Sequence, residues 1–310
     1  MKSSWASLQG LVKSLHEGDR KALARCISLV ENEAAGYKEI LTSLLVNSKT
    51  PVIGVTGPPG AGKSTFINAF AKKLLALKYK IAVIAVDPSS PFHLGSLLGD
   101  RIRMGEHANN PDVFIRSLAS RGALGGLSVK TLEVVDLMRA AGFDCIIVET
   151  VGVGQSEIEI AGLADTTILL LNPESGDGVQ ALKSGIMEIA DIFIVNKGDR
   201  PGADAFVNTL TKMVHERPDT GWSPPVIKVS ATEESGIEAV WKHVAQHNLQ
   251  NTSSVKAHFL TEKAFQLIQY ERMQNVNKKS LQSALLHAME KPLFNVYSFV
   301  SEWNQTQTCK

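Results

Sequence analysis

A phosphate-binding loop pattern at residues 57–64 constrains the fold more than any other part of the chain. It reads Gly-Pro-Pro-Gly-Ala-Gly-Lys-Ser, follows an apolar run at 52–56 and leads into a helical pattern at 63–77. This is G-x-x-x-x-G-K-[ST] between a strand and a helix. The glycines let several N–H groups turn toward phosphate oxygens, and the positive end of the helix dipole lies at the same place. The pattern predicts an α/β fold that binds a nucleoside triphosphate.

The residues of this loop are candidate ligands of the nucleotide. Lys63 is expected to reach the β- and γ-phosphates, where its charge makes it a candidate catalytic residue, and the Ser64 hydroxyl is expected to bind Mg²⁺. The predicted phosphate-binding residues are Gly57, Pro58, Pro59, Gly60, Ala61, Gly62, Lys63, Ser64 and Thr65.

Short apolar runs alternate with helical patterns through the middle of the chain. Strands are predicted at 52–56, 81–86, 113–116, 145–149, 166–171, 192–196 and 226–229. Helices are predicted between them, including 63–77, 128–141, 179–189 and 203–213. Continuous apolar strands separated by helices are typical of a parallel sheet covered on both faces. We therefore predict a P-loop NTPase fold: a doubly wound, mostly parallel sheet flanked by helices, with helical extensions at both ends.

The patterns also divide the chain into three zones. Apolar residues at helical spacing, with a break near Gly18 and Asp19, predict a helical extension over 1–48. The alternating pattern places the P-loop domain at 49–248, and a more polar helical pattern predicts a C-terminal arm at 249–310.

A guanine-recognition pattern, N-K-x-D, follows the predicted strand at 192–196. The carboxylate of Asp199 can accept hydrogen bonds from both N1–H and the exocyclic amine of guanine, whereas adenine would leave it unpaired. Asn196 can bridge the base region to the phosphate loop, and the Lys197 stem can lie over the base. The strand at 226–229 leads into a second candidate base-contacting turn, made of Ser230, Ala231 and Thr232. Because ligands bind at this edge of such sheets, the pattern predicts GTP and GDP as ligands.

Acidic residues at strand ends are candidate Mg²⁺ ligands together with Ser64. Asp87 follows the strand at 81–86, Glu149 ends the strand at 145–149, and Asp100 lies in a loop. Mg²⁺ is usually held through one or two carboxylates, phosphates and water, which fits these positions.

The sequence offers several candidates for the catalytic group. Gly152 can offer its N–H to the γ-phosphate, so that hydrolysis would release its loop. Gln155 is a candidate for positioning water, and Arg103 for stabilising charge, as are Arg116 and Arg121. The candidate catalytic set is Lys63, Glu149, Arg103 and Gln155, and it allows slow turnover that a partner accelerates.

Composition excludes several other classes. The 32 basic and 31 acidic residues give a net charge of +1, which does not indicate a nucleic-acid-binding surface. Cys26, Cys145 and Cys309 are far apart, which disfavours a disulfide framework or a cysteine zinc site and fits a reducing compartment. No apolar run reaches the roughly 18 residues of a membrane span, and residues 1–10 lack a secretory signal pattern. We expect a cytoplasmic protein with neither membrane nor nucleic acid as partner.

Five segments taken in order resemble the MeaB/MMAA/ArgK family of P-loop GTPases. They are 55–65, 86–90, 99–104, 148–156 and 195–199, of which the segment Val-Glu-Thr-Val-Gly-Val-Gly-Gln-Ser is the most telling. The resemblance covers about residues 50 to 240, and the tail after about residue 249 matches poorly.

The resemblance implies a homodimer that binds a cobalamin-dependent acyl-CoA mutase such as methylmalonyl-CoA mutase. GTP binding and hydrolysis would gate adenosylcobalamin delivery and protect the mutase. Asp87, Asp100 and Glu149 would be metal-linked switch acids, and Arg103 would lie in the first switch. The segment 176–183 would be a mobile segment that signals to the mutase through Asp177 and Lys183.

Three alternatives remain open from the residues. ArgK-type proteins have been described as ATPases or kinases linked to amino-acid transport, although Asp199 opposes adenine. His243 and His247 stand four residues apart on a predicted helix, a spacing that can bind the cargo of a metal-insertion GTPase, with His258 beyond it. A module that binds GTP without hydrolysing it is the third.

Overall fold

The computed structural model describes residues 7–87, 105, 107, 110–119, 129–150, 156–174, 185–218, 221–250, 253–274, 276–290 and 293–308, some of them by backbone alone. The strands in these ranges are β1 Val52–Thr56, β2 Ile81–Asp87, β3 Val113–Ala119, β4 Cys145–Glu149, β5 Thr166–Leu171, β6 Ile192–Val195 and β7 Val226–Lys228. They form one sheet in the order β3-β2-β4-β1-β5-β6-β7, and every pair is parallel. The predicted strands and the predicted fold class are confirmed.

The described helices lie between and around these strands. They are α1 Leu8–His16, α2 Arg20–Glu31, α3 Tyr37–Thr42, α4 Lys63–Ala76, α5 Val129–Ala140, α6 Ser156–Leu163, α7 Ile186–Ile189, α8 Ala203–His215, α9 Ile237–Gln250, α10 Ser253–Met273, α11 Lys278–Met289 and α12 Val296–Thr308. Of the helix predicted at 179–189, only α7 lies within the described residues.

Alternate residues of the strands pack against opposite faces of the sheet, as the two-residue period of a strand requires. On one face, Val52 and Val148 join a core that includes residues of α1, α2 and α5. On the other face, Ile53 and Ile147 pack with residues of α4 and α9. Each such buried aliphatic side chain contributes about 1.5–3 kcal/mol relative to exposure, so the covered faces explain why the strands are mostly apolar.

The break predicted near Gly18 and Asp19 separates α1 from α2. Gly18 takes φ +83°, and Oδ1 of Asp19 accepts hydrogen bonds from the backbone N–H groups of Lys21 (2.7 Å) and Ala22 (3.3 Å). A carboxylate at this position satisfies N–H groups that the helix leaves unpaired, and so it begins α2 here. The apolar faces of α1 and α2 are buried in the same core as the sheet.

The sheet brings the predicted site residues to one edge. β1 lies in the centre, between β4 and β5, so the chain runs to one side for β2–β4 and to the other for β5–β7. Val55 is level with Glu149, and Thr56 with Leu169. The carboxyl ends of β1, β4, β5 and β6 therefore meet at the point where strand order reverses, which is where open parallel sheets bind ligands.

The chain separates into two compact units, residues 1–263 and 264–310. The second unit exposes large apolar side chains, including Phe265, Met289, Leu293 and Tyr297. The predicted division at 48/49 and 248/249 stays a prediction. Among the described residues, every helix is too short or too polar to cross a membrane.

Candidate nucleotide-binding site

The loop after β1 has the backbone geometry that its glycines predict. Gly57, Gly60 and Gly62 have φ of +143°, +80° and +88°, a region that side chains disfavour. A Cβ on Gly57 would collide with the backbone of Leu170 on β5. Because α4 begins immediately after Gly62, its first N–H groups, which have no partner within the helix, line the end of the loop. The loop is therefore shaped to receive an anion.

Lys63 is held against this loop. Its side chain is buried, and Nζ donates to the carbonyl oxygens of Gly57 (2.7 Å) and Pro58 (3.2 Å). These carbonyls compensate a charge whose burial would otherwise be costly. The ammonium thus already lies at the loop, and phosphate oxygens can replace its carbonyl partners.

Two oxygen donors meet where α4 begins. Oγ of Ser64 donates a hydrogen bond of 2.8 Å to Oε1 of Glu149, the last residue of β4. Asp87 ends β2, which pairs with β4 so that Ala85 is level with Glu149; only the backbone of Asp87 is described. The structure brings together the two predicted Mg²⁺ ligands whose side chains it describes.

Asn196 links the phosphate loop to the predicted base-contacting turn. Its side chain is buried; Nδ2 donates to the carbonyl oxygen of Ala61 (2.8 Å), and Oδ1 accepts from the N–H of Ala231 (3.2 Å). Gly62 permits the contact, since a Cβ there would lie 2.5 Å from Nδ2. The bridge expected from the sequence is present.

Asp199 is held by the turn that follows β7. Oγ of Ser230 donates to Oδ1 of Asp199 over 2.9 Å and lies 3.4 Å from Oγ1 of Thr232. The Ser230 hydrogen bond, with a lesser contribution from the backbone N–H of Asp199 itself, holds the pKa of the Asp199 carboxyl below its usual value. The carboxylate is therefore ionised at neutral pH, as acceptance of two guanine N–H groups requires.

Glu174 and Arg200 also belong to this group, although the sequence did not single them out. Nζ of Lys197 lies 3.4 Å from Oε2 of Glu174, and Nε of Arg200 lies 3.8 Å from Oε1 of Glu174 and 3.6 Å from Oδ2 of Asp199. Thr56 and Thr150 were missed too: their buried hydroxyls lie 3.0 Å apart, where β1 and β4 end. For Glu174, the only available signal was its place just after a strand that ends at the site edge.

Several predicted residues lie outside the described residues. These are Asp100, Arg103, Gly152, Gln155, Asp177 and Lys183. Their roles stay predictions, as does that of Arg121. Of the other predicted loop residues, Pro59 and Thr65 are exposed at the loop and at the start of α4.

Two other candidates lie away from this site. Arg116, on β3, forms an ion pair with Glu31 of α2, and both side chains are mostly buried. His247 is buried beneath the sheet, with Nδ1 at 2.8 Å from Oγ1 of Thr166 and Nε2 at 3.4 Å from Asp191. Its ring nitrogens face these partners, and no cluster of three or more His, Cys, Asp or Glu side chains suited to a metal occurs among the described residues. His243 and His247 therefore give no support to the metal-insertion GTPase alternative.

The family model described as "Methylmalonyl Co-A mutase-associated GTPase MeaB" matches residues 23–287. The match includes the phosphate loop, Glu149 and the base-recognition turn. The chain belongs to this family.

Relatives and solved structures agree with this assignment. A putative GTPase of Pyrococcus horikoshii is 46% identical over 76% of both chains, and the GTPase ArgK of Escherichia coli is 37% identical over 94% of this chain and 89% of its own. The mouse mitochondrial methylmalonic aciduria type A homolog is 38% identical over 79% of this chain and 63% of its own.

The crystal structure of an LAO/AO transport system kinase matches with a TM-score of 0.68 and 29% identity, over 98% of this chain and 91% of that one. HypB of Helicobacter pylori, solved with nickel, matches with a TM-score of 0.50 and 19% identity over 74% of this chain and 96% of its own, which shows a shared fold. The chain is thus a GTP-binding P-loop protein of a GTPase family.

Proposed function

We propose that this MeaB-family protein hydrolyses GTP with Mg²⁺ and uses its nucleotide state to gate adenosylcobalamin loading of a cobalamin-dependent acyl-CoA mutase, which it also protects. The carrying observation is the buried Asn196 side chain, which bonds to both Ala61 and Ala231. Asn196 links the phosphate site to the base site, so that a nucleotide, which contains both a base and phosphates, fits at the carboxyl edge of the sheet. The family description supports the mutase as client.

Nucleotide binding follows from groups already in place. Asp199 reads N1–H and the exocyclic amine, while Ser230 holds one of its oxygens and keeps the carboxylate oriented. Lys63 exchanges its bonds to Gly57 and Pro58 for bonds to the phosphates. The loop glycines keep the backbone N–H groups accessible to phosphate oxygens.

Mg²⁺ fits the donors at the end of β4. A serine hydroxyl and a carboxylate are the hard oxygen ligands this ion prefers, and Ser64 and Glu149 lie within 2.8 Å of each other. When bound, Mg²⁺ would neutralise charge on the β- and γ-phosphate oxygens during transfer to water. Ser64 and Glu149 would hold it, with Asp87 and Asp100 as further proposed acids. Arg103, Gly152 and Gln155 keep their proposed switch and catalytic roles.

The first test is nucleotide turnover by the purified protein. We expect Mg²⁺-dependent release of phosphate from GTP and much weaker binding of ATP, because adenine leaves Asp199 unpaired. Tighter binding of ATP than of GTP would favour the transport-linked ATPase or kinase. If the protein binds GTP but does not hydrolyse it, either alone or with a mutase, it is a GTP-binding module and not an enzyme.

The second test addresses the client. The protein is mixed with a cobalamin-dependent acyl-CoA mutase from the same cell, and adenosylcobalamin loading is followed by its absorbance with GTP, GDP or a non-hydrolysable GTP analogue. We expect complex formation, faster GTP hydrolysis and nucleotide-dependent loading. The chaperone role would be contradicted if the mutase left the rate of GTP hydrolysis unchanged and adenosylcobalamin loading did not depend on the nucleotide.

We also propose a homodimer formed through the C-terminal arm. Leu293 is 99% exposed and Tyr297 is 83% exposed, and such apolar surface is typical of an interface. Light scattering is expected to give twice the 33.5 kDa chain mass. A monomer at micromolar concentration would contradict this assembly.

A further inference from the structure

Glu174 stands beside the base-recognition turn with each carboxylate oxygen facing a different cation. Oε2 is 3.4 Å from Nζ of Lys197, and Oε1 is 3.8 Å from Nε of Arg200. Arg200 is shared, because the same Nε is 3.6 Å from Oδ2 of Asp199. The guanidinium of Arg200 thus lies between a carboxylate that reads the base and one that does not.

The backbone explains why Glu174 reaches this position. β5 and β6 are neighbours, and Leu171 is level with Val195, so the chain leaving β5 runs beside the chain leaving β6. Oδ1 of the buried Asn172 accepts the N–H of Glu174 over 3.0 Å and forms a turn there.

The two oxygens of Asp199 have different surroundings. Oδ1 accepts a hydrogen bond from the Ser230 hydroxyl, whereas Oδ2 lies 3.6 Å from Nε of Arg200, a distance longer than a hydrogen bond. A guanidinium that closed fully on Oδ2 would compete with the guanine N–H groups for the same lone pairs. Glu174 attracts the same Nε of Arg200 over 3.8 Å, and a second carboxylate that competes for this guanidinium opposes that closure.

We propose that Glu174 is a positioning residue for guanine recognition, holding Arg200 away from Oδ2 of Asp199 and anchoring the ammonium end of Lys197. This inference rests on the proposed base-reading role of Asp199. Glu174 is then a selectivity determinant outside the N-K-x-D pattern. It lies just after β5, the strand that pairs with β6 in the sheet.

The proposal predicts a specific pattern of affinities. Glu174→Gln weakens GDP binding by about threefold, the scale of one exposed charge pair. Arg200→Gln binds GDP at least as tightly as the wild type. The double variant Glu174→Gln/Arg200→Gln regains most of the loss, because the competing cation is gone. Selectivity for GDP over inosine diphosphate, which lacks the exocyclic amine, narrows in Glu174→Gln and recovers in the double variant.

Calorimetric titration of the full-length variants with GDP and inosine diphosphate tests this. Glu216→Gln is the matched control, since it removes the same charge from an exposed residue at the far end of α8, and it is expected to bind GDP like the wild type. Thermal unfolding confirms that the variants fold.

The outcomes separate this inference from the proposed function. GDP affinity unchanged in Glu174→Gln, or a double variant as weak as Glu174→Gln alone, would overturn the role of Glu174. Asp199→Asn is titrated in parallel: if it binds GDP as the wild type does, the base site itself is wrong. If Asp199→Asn is weak while the Glu174 variants match the wild type, only the present inference fails.

Discussion

A Cβ atom on Gly62 would lie 2.5 Å from Nδ2 of Asn196, the amide that donates to the carbonyl oxygen of Ala61. Two constraints therefore require glycine at position 62. Its φ of +88° disfavours any side chain, and the buried amide needs the space that a methyl group would fill. The second requirement connects the loop to the base-recognition turn.

Gly62→Ala is expected to lower the free energy of unfolding by about 1–3 kcal/mol and to weaken GDP binding. Backbone strain contributes to the first effect, and displacement of Asn196 from Ala61 contributes to both. Chemical denaturation and GDP titration measure them separately. Gly142→Ala is the control for strain alone, because Gly142 has φ +78° and nothing within 4 Å of an added Cβ. Equal GDP affinity in the two variants would argue against coupling through Asn196.

Glu149→Gln tests the proposed Mg²⁺ site at Ser64 and Glu149, because it removes the carboxylate charge and keeps an oxygen that can accept the Ser64 hydrogen bond. Loss of the carboxylate charge removes a predicted Mg²⁺ ligand, and we expect turnover to fall on the order of 10- to 100-fold. Phosphate release is measured across a Mg²⁺ titration. GDP binding without Mg²⁺ should be retained, which distinguishes loss of metal from loss of fold. Wild-type turnover and wild-type half-saturation by Mg²⁺ would contradict the assignment.

The strands and the phosphate loop were predictable from sequence because their signals are local. A strand covered on both faces is predominantly apolar, as in β5 (Thr166–Leu171), where every residue is buried and the last four are Ile or Leu. The G-x-x-x-x-G-K-S pattern likewise needs only its own residues. Asn196 and Asp199 were predictable because a short motif follows a strand.

Contacts between distant parts of the chain were not predictable in this way. Glu174 meets Arg200 only because β5 and β6 pair with Leu171 level with Val195, and no periodicity states that register. His247 shows a missed signal: it lies seven residues after the buried Val240 and three after the buried Val244, so it continues their buried face. The i, i+4 spacing with His243 indicates a metal pair instead, but His243 is only half-buried, whereas His247 is buried among partners of its own.

Asp199→Asn should shift base preference from guanine toward xanthine. Xanthine carries a carbonyl where guanine has the exocyclic amine, and an amide can donate to that carbonyl whereas a carboxylate cannot. Competition of GDP and xanthosine diphosphate for the protein measures the change. An unaltered preference would place the base site elsewhere.

Ser230→Ala should shift the acid limit of GDP binding to higher pH. The Ser230 hydroxyl holds the pKa of Asp199 below its usual value, so its removal raises that pKa toward the usual value of about 3.9. GDP binding needs the ionised carboxylate and is lost as pH falls through this pKa. GDP affinity of both proteins is therefore compared from neutral pH downward. Coinciding acid limits would indicate that Ser230 does not act through Asp199.

The pH dependence of stability should contain a contribution from His247. Burial lowers the pKa of His247, although the nearby charges of Asp191 and Asp165 act to raise it. Burial also raises the pKa of the Asp191 carboxyl. Unfolded histidine has a pKa of about 6.5, so as pH falls through this value the unfolded chain takes up a proton before the folded one. The neutral, buried His247 therefore contributes stability that is present above about pH 6.5 and is lost on acidification, by at most about 1.4 kcal/mol per pH unit for one proton.

Substituting His247→Gln removes that proton uptake and keeps a group able to hydrogen-bond Thr166. We expect the free energy of unfolding, measured by denaturant titration, to fall less between pH 7.5 and about 5.5 than in the wild type. Asp191 acts in the opposite direction, since its raised pKa favours protonation of the folded state on acidification, so the two contributions separate only when His247 is replaced. His215→Gln, at an exposed position on α8, is expected to keep the wild-type slope. If the free energy of unfolding depends on pH equally in His247→Gln and the wild type, His247 has the same pKa in the folded and unfolded chains, which would contradict this prediction.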